Sequence, residues 1–250
     1  KASKNRFYPI IDAIAQYHNE IPLKKGNVET YALDFDKEKP SEKYVMVLHG
    51  LGQNVSAMQP LYKSILEETE YSVFAPEYRG FGKNKPAKIS KKTFLEDTQI
   101  ALDYLVNEKQ IKPENICVVG HSLGGFVASQ FAKNNPNIER LILVSSADSL
   151  ESEMMSSSIA KHISPFVRFI VKHIGFIRGY VRSIFDTTEN LGKTHAPVDI
   201  IHSMNDRIVD YKSAKNLAKI CPNLQGVHLL SGGGHGMEPK KIAEIISLLK

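Results

Sequence analysis

The chain has 250 residues, of which 42% are hydrophobic and 24% charged, and its 32 basic and 27 acidic side chains give a formal net charge of +5. This length and composition suit one soluble α/β domain whose core is large enough to fold without disulfides or metals. They exclude a membrane-spanning helix, because no apolar run approaches ~18 residues, and a disulfide framework, because only Cys117 and Cys221 are present.

The cysteine usage also bears on the cellular compartment. Two isolated thiols favour a reducing compartment and therefore a cytoplasmic protein. The numbering begins at Lys1 and not at Met, so a removed signal peptide or membrane anchor stays open as the alternative. The oligomeric state is left open by the sequence.

Taken in chain order, short apolar runs alternate with helical patterns. Apolar side chains at helical spacing in 7–18 predict a terminal helix, and 23–35 reads as a strand or hairpin. Further strands are predicted at 44–49, 71–77, 115–120, 140–147, 198–203 and 226–231. Further helices are predicted at about 56–69, 91–109, 123–134, 211–220 and 239–249. Runs that are apolar on both faces are typical of a parallel sheet covered on both sides, so we expect one doubly wound α/β domain over 1–250.

Residues 149–190 interrupt this alternation and predict a helical cap inserted over one end of the sheet. The segment 154–185 within it has no acidic residue and five basic ones, which equal the whole formal excess of +5. The five are Lys161, Arg168, Lys172, Arg178 and Arg182. A basic and apolar surface suits acyl chains or peripheral contact with an anionic membrane. A cap that packs its apolar side on the sheet is slightly favoured, because every helical cap buries one face.

The stretch GHSLG (120–124) follows an apolar run and precedes a helical pattern, and it matches the G-x-S-x-G pattern. A sharp strand-to-helix turn gives the central residue, Ser122, a strained backbone with positive φ and raises its hydroxyl above the carboxyl edge of the sheet. Gly120 and Gly124 would remove side chains where strand and helix approach closely. Ser122 is therefore a candidate nucleophile, and a capping serine in a turn is the alternative.

A serine nucleophile requires a base, and the base requires an orienting acid. His235 lies in the glycine-rich stretch SGGGHG after the last apolar run, and Asp206 follows the strand before it. The resulting order of Ser, Asp and His is that of the α/β-hydrolases. Asp148, after the preceding strand, is the second candidate acid. Asp210 ranks third because it fits a helix cap better.

A backbone site for a developing oxyanion is predicted beside the serine. The amide of Leu123 would stand at a helix N-terminus, and LHGLGQN (48–54) would bring the amide of Leu51 over the serine. An ordinary glycine-rich loop is the alternative for 48–54. No phosphate-binding loop, metal spacing or nucleic-acid motif is present, so no cofactor, metal or nucleic-acid partner is expected.

Together these residues resemble the α/β-hydrolase family of serine hydrolases over roughly 25–250. The finer likeness is to its monoglyceride lipase, serine aminopeptidase and small-capped depalmitoylase-like branches, because PEYRGFGKN (76–84) is similar to their Asp-x-Arg-Gly-x-Gly loop. The chain departs from many relatives at His202-Ser203 and at Asp210. Neither departure touches Ser122, Asp206 or His235.

The resemblance implies cleavage of a carboxylic ester or thioester with an apolar acyl group through an acyl-enzyme. An acyltransferase or an aminopeptidase-type amide hydrolase would use the same three residues and stays an alternative. A catalytically silent binding module is the alternative from another class, since this fold also hosts receptors and scaffolds. The intact set of Ser122, Asp206 and His235 argues against the binding module.

Overall fold

The computed structural model describes residues 18–36, 41–149 and 186–250. The helix expected at 7–18 falls outside this part of the chain except for its last residue. Most of the cap expected at 149–190, including its basic segment 154–185, also lies outside the described residues.

The described residues contain an eight-stranded sheet in the order β1-β2-β4-β3-β5-β6-β7-β8. Its strands are β1 (His18–Lys25), β2 (Val28–Phe35), β3 (Tyr44–Leu48), β4 (Ser72–Pro76), β5 (Ile116–His121), β6 (Arg140–Val144), β7 (Val198–Ser203) and β8 (Leu224–Leu230). The hairpin β1–β2 is antiparallel, and β2 is antiparallel to β4. From β4 to β8 every neighbouring pair is parallel. The predicted mostly parallel sheet is therefore confirmed.

The helices follow the predicted positions closely. They are α1 (Gln59–Glu68), α2 (Lys91–Asp103), α3 (Leu123–Asn134), α4 (Thr187–Leu191), α5 (Lys212–Ile220) and α6 (Pro239–Leu249). A π-helical turn, Tyr104–Glu108, continues α2 to nearly the expected end at 109. The start of α2 is fixed by a capping box between Ser90 and Thr93, in which each side chain bonds the other's backbone N–H.

Side chains that alternate along the strands divide the core between the two faces of the sheet. On β3, Met46 and Leu48 join a cluster with α2, α3 and α5, whereas Val45 and Val47 join a cluster with α1 and α6. Helices therefore cover both faces, which explains why the strands are apolar throughout. Cys117 is buried in the second cluster and Cys221 is half-buried, and both are free thiols.

The direction in which successive strands are added to the sheet reverses at β3. The chain continues from β3 to β4 on one side, whereas β5 pairs with β3 on the other side. In open α/β sheets, ligands bind in the crevice at the carboxyl ends of the strands where the order reverses. Ser122 follows β5 and Gly50 follows β3, so both lie at this edge.

The two described residues that flank 150–185 are neighbours in space. Ser149 and Asp186 form an isolated antiparallel bridge, and the Asp186 carboxylate accepts from the Glu189 N–H at the start of α4. None of the described helices has the length and apolar character needed to cross a bilayer.

Candidate active site

Ser122 stands alone between the end of β5 and the start of α3. Its φ of 55° and ψ of −120° place it in a left-handed region that L side chains rarely adopt. The turn is held because the Ser122 N–H donates to the Val144 carbonyl at 2.9 Å, and the Ser122 carbonyl accepts from the Gly125 N–H at 2.9 Å. The strained turn predicted for GHSLG is present.

Glycines around the serine are required by close backbone contacts. A Cβ on Gly120 would lie 2.5 Å from the Gly124 carbonyl oxygen, and a Cβ on Gly124 would lie 2.1 Å from that of Leu48. Gly125 is equally constrained, since its Cβ would lie 1.6 Å from Ser146 Oγ. The sequence does not identify Gly125 as constrained, because Ser146 comes close to it only when β6 pairs with β5.

The structure brings Ser122, His235 and Asp206 together. Ser122 Oγ lies 2.9 Å from His235 Nε2, and His235 Nδ1 lies 2.9 Å from Asp206 Oδ2. The Asp206 side chain is fully buried, whereas the His235 side chain keeps 21% of its surface exposed. The Nδ1–H therefore donates to the carboxylate, which leaves Nε2 free to accept the proton of the serine hydroxyl.

The Asp206 carboxylate is fixed by several donors. Its Oδ1 accepts from the backbone N–H groups of Ile208 at 2.8 Å and Val209 at 3.0 Å, and His202 Nε2 lies 3.5 Å from Oδ2. Burial alone would raise the pKa of Asp206, but the hydrogen bonds and charge around it outweigh burial and hold this pKa well below its usual range. Asp206 is therefore ionised at neutral pH.

The two competing aspartates have other partners. Asp148 is buried, and its carboxylate accepts from Asn216 Nδ2 at 2.8 Å, from Ser213 Oγ at 3.4 Å and from the Ser149 N–H at 2.8 Å. It fastens α5 to the end of β6. Asp210 accepts from the Lys212 N–H at 3.0 Å just before α5, but it is not the expected helix cap, because the N-cap position is Tyr211.

The loop after β3 lies directly against the serine. A Cβ on Gly50 would be 3.1 Å from Ser122 Cβ, closer than an ordinary contact, so the absence of a side chain here eases the approach of the loop to the serine. The buried His49 braces the loop, because its Nδ1 lies 2.9 Å from the Gly50 carbonyl and its Nε2 lies 2.7 Å from Glu77 Oε1. Glu77 also accepts from the Val55 N–H at 3.2 Å. The acid of the 76–84 loop thus holds the predicted oxyanion loop in place.

One contact to the candidate base was missed in the sequence. The Nε2 atom of His121 lies 2.7 Å from the carbonyl oxygen of His235. Burial lowers the pKa of His121 to about 3, although the bond to the His235 carbonyl raises it, so this imidazole is neutral and donates from Nε2. The sequence signal for this contact is that His121 ends an apolar strand, which places it at the carboxyl edge of the sheet.

Comparison with protein families matches residues 39–176 to the family described as serine aminopeptidase S33. This match spans more than half of the chain. The chain belongs to the S33 family of α/β-hydrolases. The described residues contain no group of three His, Cys, Asp or Glu side chains placed to hold a metal ion.

Two curated relatives of this α/β-hydrolase are about a quarter identical to it over the aligned residues. YfhR of Escherichia coli K12 is 25% identical over 189 residues, which cover 75% of this chain and 61% of that protein. WAV2 of Arabidopsis thaliana, an alpha/beta hydrolase domain-containing protein, is 26% identical over 162 residues, or 62% of this chain and 50% of that protein. The chain thus spans only half to three-fifths of the length of these relatives.

Solved structures confirm the α/β-hydrolase fold. The esterase Pf2001 of Pyrococcus furiosus matches with a TM-score of 0.72 and 18% identity, over 93% of this chain and 89% of that one. A membrane phospholipase A matches with a TM-score of 0.71 and 18% identity, over 93% of this chain and 86% of that one. A likeness at this identity concerns the fold and not the substrate.

Proposed function

We propose that this α/β-hydrolase cleaves a carboxylic ester or thioester with an apolar acyl group, and that Ser122 is its nucleophile. The observation that carries the proposal is the continuous hydrogen-bonded line from Ser122 Oγ to His235 Nε2 and from His235 Nδ1 to Asp206 Oδ2, with both distances at 2.9 Å. A serine, an imidazole and a buried carboxylate in this arrangement form a system for acyl transfer.

In the proposed acylation step, Ser122 Oγ attacks the acyl carbonyl carbon while His235 Nε2 takes the hydroxyl proton. The carbonyl π bond breaks, and its electron pair becomes the oxyanion of a tetrahedral intermediate. Collapse of the intermediate expels the alkoxide or thiolate, which receives the proton from His235. Water then attacks the acyl-serine in the same way, with His235 again as the base, and releases the carboxylic acid.

The charges around the site fit this sequence of steps. An imidazolium forms when His235 takes the proton, and the ionised Asp206 beside Nδ1 stabilises that cation and fixes the ring's orientation. The proposed oxyanion donors are the backbone N–H groups of Leu51 and Leu123. The N–H of Leu123 belongs to the first residue of α3, where helical N–H groups lack intrahelical partners and favour negative charge.

An apolar acyl group is favoured by the side chains at the same edge of the sheet. Leu51 follows β3 and is 69% exposed, and Met204 and Ile208 follow β7 and are 45% and 42% exposed. Exposed apolar side chains grouped around a site are typical of contact with apolar ligands.

Amide cleavage is the second candidate function, and the family description as a serine aminopeptidase favours it. The same three side chains would act, with the leaving amine taking the proton from His235. A panel that pairs p-nitrophenyl esters of graded acyl length with aminoacyl p-nitroanilides separates the two candidates. We expect kcat/KM to be highest for an ester, and a higher kcat/KM on an aminoacyl anilide would favour the second candidate.

A fluorophosphonate probe tests the nucleophile itself. We expect the wild-type protein to be labelled and Ser122→Ala to remain unlabelled, because the probe reacts with an activated serine hydroxyl. Equal labelling of the two proteins, or no labelling of a folded wild-type protein, would contradict the proposal.

A further inference from the structure

The loop that carries His235 has almost no rigidity of its own. Residues 232–236 are glycine at every position except 235, and Gly232 and Gly233 have φ values of 78° and 77°. Glycine loses more conformational freedom on folding than other residues, so this loop resists ordering more than an average loop would. The imidazole nevertheless has to stay within hydrogen-bond distance of both Ser122 and Asp206.

Lys241 of α6 binds the loop on both sides of His235. Its Nζ donates to the Gly234 carbonyl at 2.6 Å and to the Gly236 carbonyl at 2.8 Å. The Lys241 side chain is fully buried, with 0% of its surface exposed. Two carbonyl groups, one before and one after the histidine, are thereby fixed to the first turn of a helix that packs on the core.

The position of Lys241 is unfavourable in two respects. A lysine in the first turn of a helix meets the positive end of the helix dipole, and lysine is almost never fully buried unless it is paired. Burial lowers the pKa of Lys241, while the carboxylates of Asp206 and Glu238 raise it. Residues that break local rules inside a well-packed fold are expected at functional sites.

Glu238, the residue that precedes α6, holds the same loop from its N–H side. Both carboxylate oxygens accept from the Gly234 N–H, at 2.7 and 2.6 Å. A Cβ on Gly233 would lie 2.4 Å from the carboxylate, so the loop is shaped around Glu238. His121 holds the His235 carbonyl at 2.7 Å, and with Lys241 it completes a run of three consecutive carbonyls bound by buried side chains.

We propose that Lys241 is a positioning residue for His235, which it fixes by binding the carbonyl groups on either side of that histidine, with Glu238 as its partner on the loop's N–H side. The proposal rests on the proposed function, in which His235 is the base. Within the described residues, the hydrogen bonds of Lys241 Nζ go to the loop carbonyls, so Lys241 acts through the backbone of the loop.

The chain offers a matched control in the neighbouring lysine. Lys240 is exposed, lies in the same helical turn and donates to the Ser231 carbonyl at 2.7 Å at the edge of the same loop. Lys240→Met and Lys241→Met therefore remove the same side chain from adjacent positions. Only Lys241→Met removes the bonds that flank His235.

Amide hydrogen exchange of the peptide that covers 231–238 measures the local stability of the loop directly. We expect exchange to rise about tenfold or more in Lys241→Met and to stay near wild type in Lys240→Met, because loss of the two bonds frees the loop locally. Equal exchange in the two variants would overturn the proposal. Since exchange needs no turnover, an exchange difference in a protein without activity would support the loop contacts and contradict the proposed function.

The kinetics of ester hydrolysis measure the effect of losing these bonds on catalysis. For Lys241→Met we expect kcat to fall by about 10- to 100-fold with KM within about threefold, because a displaced base loses rate while the acyl site is untouched. Lys240→Met should stay within about twofold of wild type. A kcat for Lys241→Met that matches that of Lys240→Met would overturn the proposal.

The pH profile separates positioning from a purely structural role. In the described part of the chain, the charged or titratable groups around His235 and its loop are Asp206, His121, Glu238, Lys240 and Lys241, and His202 lies beside Asp206. Removal of the buried ammonium favours the imidazolium, so the acid limb of kcat/KM should move to higher pH by about half a unit in Lys241→Met.

If Lys241→Met fails to fold, Glu238→Gln decides: its kcat should fall at least about fivefold, and a kcat within about twofold of wild type would overturn the proposal.

Discussion

At the scale of single residues, two buried aspartates at the same edge of the sheet differ in what they bind. Asp206 Oδ2 lies 2.9 Å from His235 Nδ1 and Oδ1 accepts two backbone N–H groups, whereas Asp148 binds side chains of α5. The first carboxylate orients a ring that has to accept a proton, and the second fastens a helix. Substitution of each aspartate should therefore change a different measured quantity.

We expect Asp206→Asn to lower kcat by about 10³- to 10⁴-fold with little change in KM, since the amide can donate to Nδ1 and thereby favours the wrong ring tautomer. Asp148→Asn should change kcat less than about fivefold but lower the free energy of unfolding by about 1–3 kcal/mol, because a buried donor loses its charged acceptor. Steady-state kinetics and urea unfolding on both variants measure the two effects. The reverse pattern of kcat losses would refute the assignment of Asp206.

These residues differ in how far the sequence alone identifies them. Ser122 and His235 could be predicted because each stands in a glycine-rich stretch after an apolar run, a local pattern. The order along the chain allows both Asp206 and Asp148 as the acid, and the separate partners of Asp148 became visible only in the structure. Lys241 could not be predicted, because Lys240 and Lys241 are adjacent lysines and only the packing of α6 decides which one is buried.

At the scale of elements, the crossing of β3 and α3 sets the position of the serine. A Cβ on Gly124 would meet the carbonyl oxygens of Leu48 at 2.1 Å and His49 at 2.7 Å. Both are backbone atoms at the end of β3, so neither can move aside without shifting the strand and the loop that follows it. The helix that presents Ser122 is therefore held against the strand that leads to the proposed oxyanion loop.

Gly124→Ala tests this contact. We expect the free energy of unfolding to fall by about 3 kcal/mol, because the added methyl group overlaps backbone that has no room to yield. The control is Gly192→Ala, whose Cβ would lie 3.4 Å from its nearest neighbour, an ordinary contact; this variant should change stability by less than about 1 kcal/mol. Denaturant unfolding that gives the same value for both variants would contradict the account.

Element positions were predictable wherever the pattern was strong, and the misses have physical causes. The helices 123–134 and 239–249 agree with α3 and α6 to the residue, because each begins at a clear signal: the elbow at Ser122 and the proline at 239. Strand β8 begins at Leu224, two residues before the prediction. It is an edge strand with half-exposed side chains, so hydrogen bonding to β7 extends it into polar sequence that the apolar pattern excluded.

At the scale of the whole molecule, the buried neutral His121 links folding to pH. Its pKa is lowered from 6.5 to about 3 by burial. The unfolded chain therefore binds a proton at this residue as the pH falls below about 6.5, while the folded chain does not. Its contribution to stability is fully present above that pH and is lost as the pH falls toward about 3. The lowered pKa of Asp206 acts in the same direction, but only below about pH 4.

The interval from about pH 6 to pH 4.5 isolates the histidine. There the free energy of unfolding of the wild-type protein should fall with decreasing pH more steeply than that of His121→Gln, by up to about 1.4 kcal/mol per pH unit. Urea unfolding at several pH values measures both slopes. Equal slopes for the two proteins would show that the folded state protonates His121 as readily as the unfolded state.

The central claim is that Ser122 carries the acyl group during turnover, and mass spectrometry of the acylated protein tests it most directly. After rapid acid quenching during hydrolysis of a p-nitrophenyl ester, we expect one acyl mass on the peptide that contains Ser122, together with a burst of p-nitrophenol equal to the enzyme concentration. Ser122→Ala should show neither the adduct nor the burst. Turnover that persists in Ser122→Ala, or an acyl group found on another residue, would contradict the account.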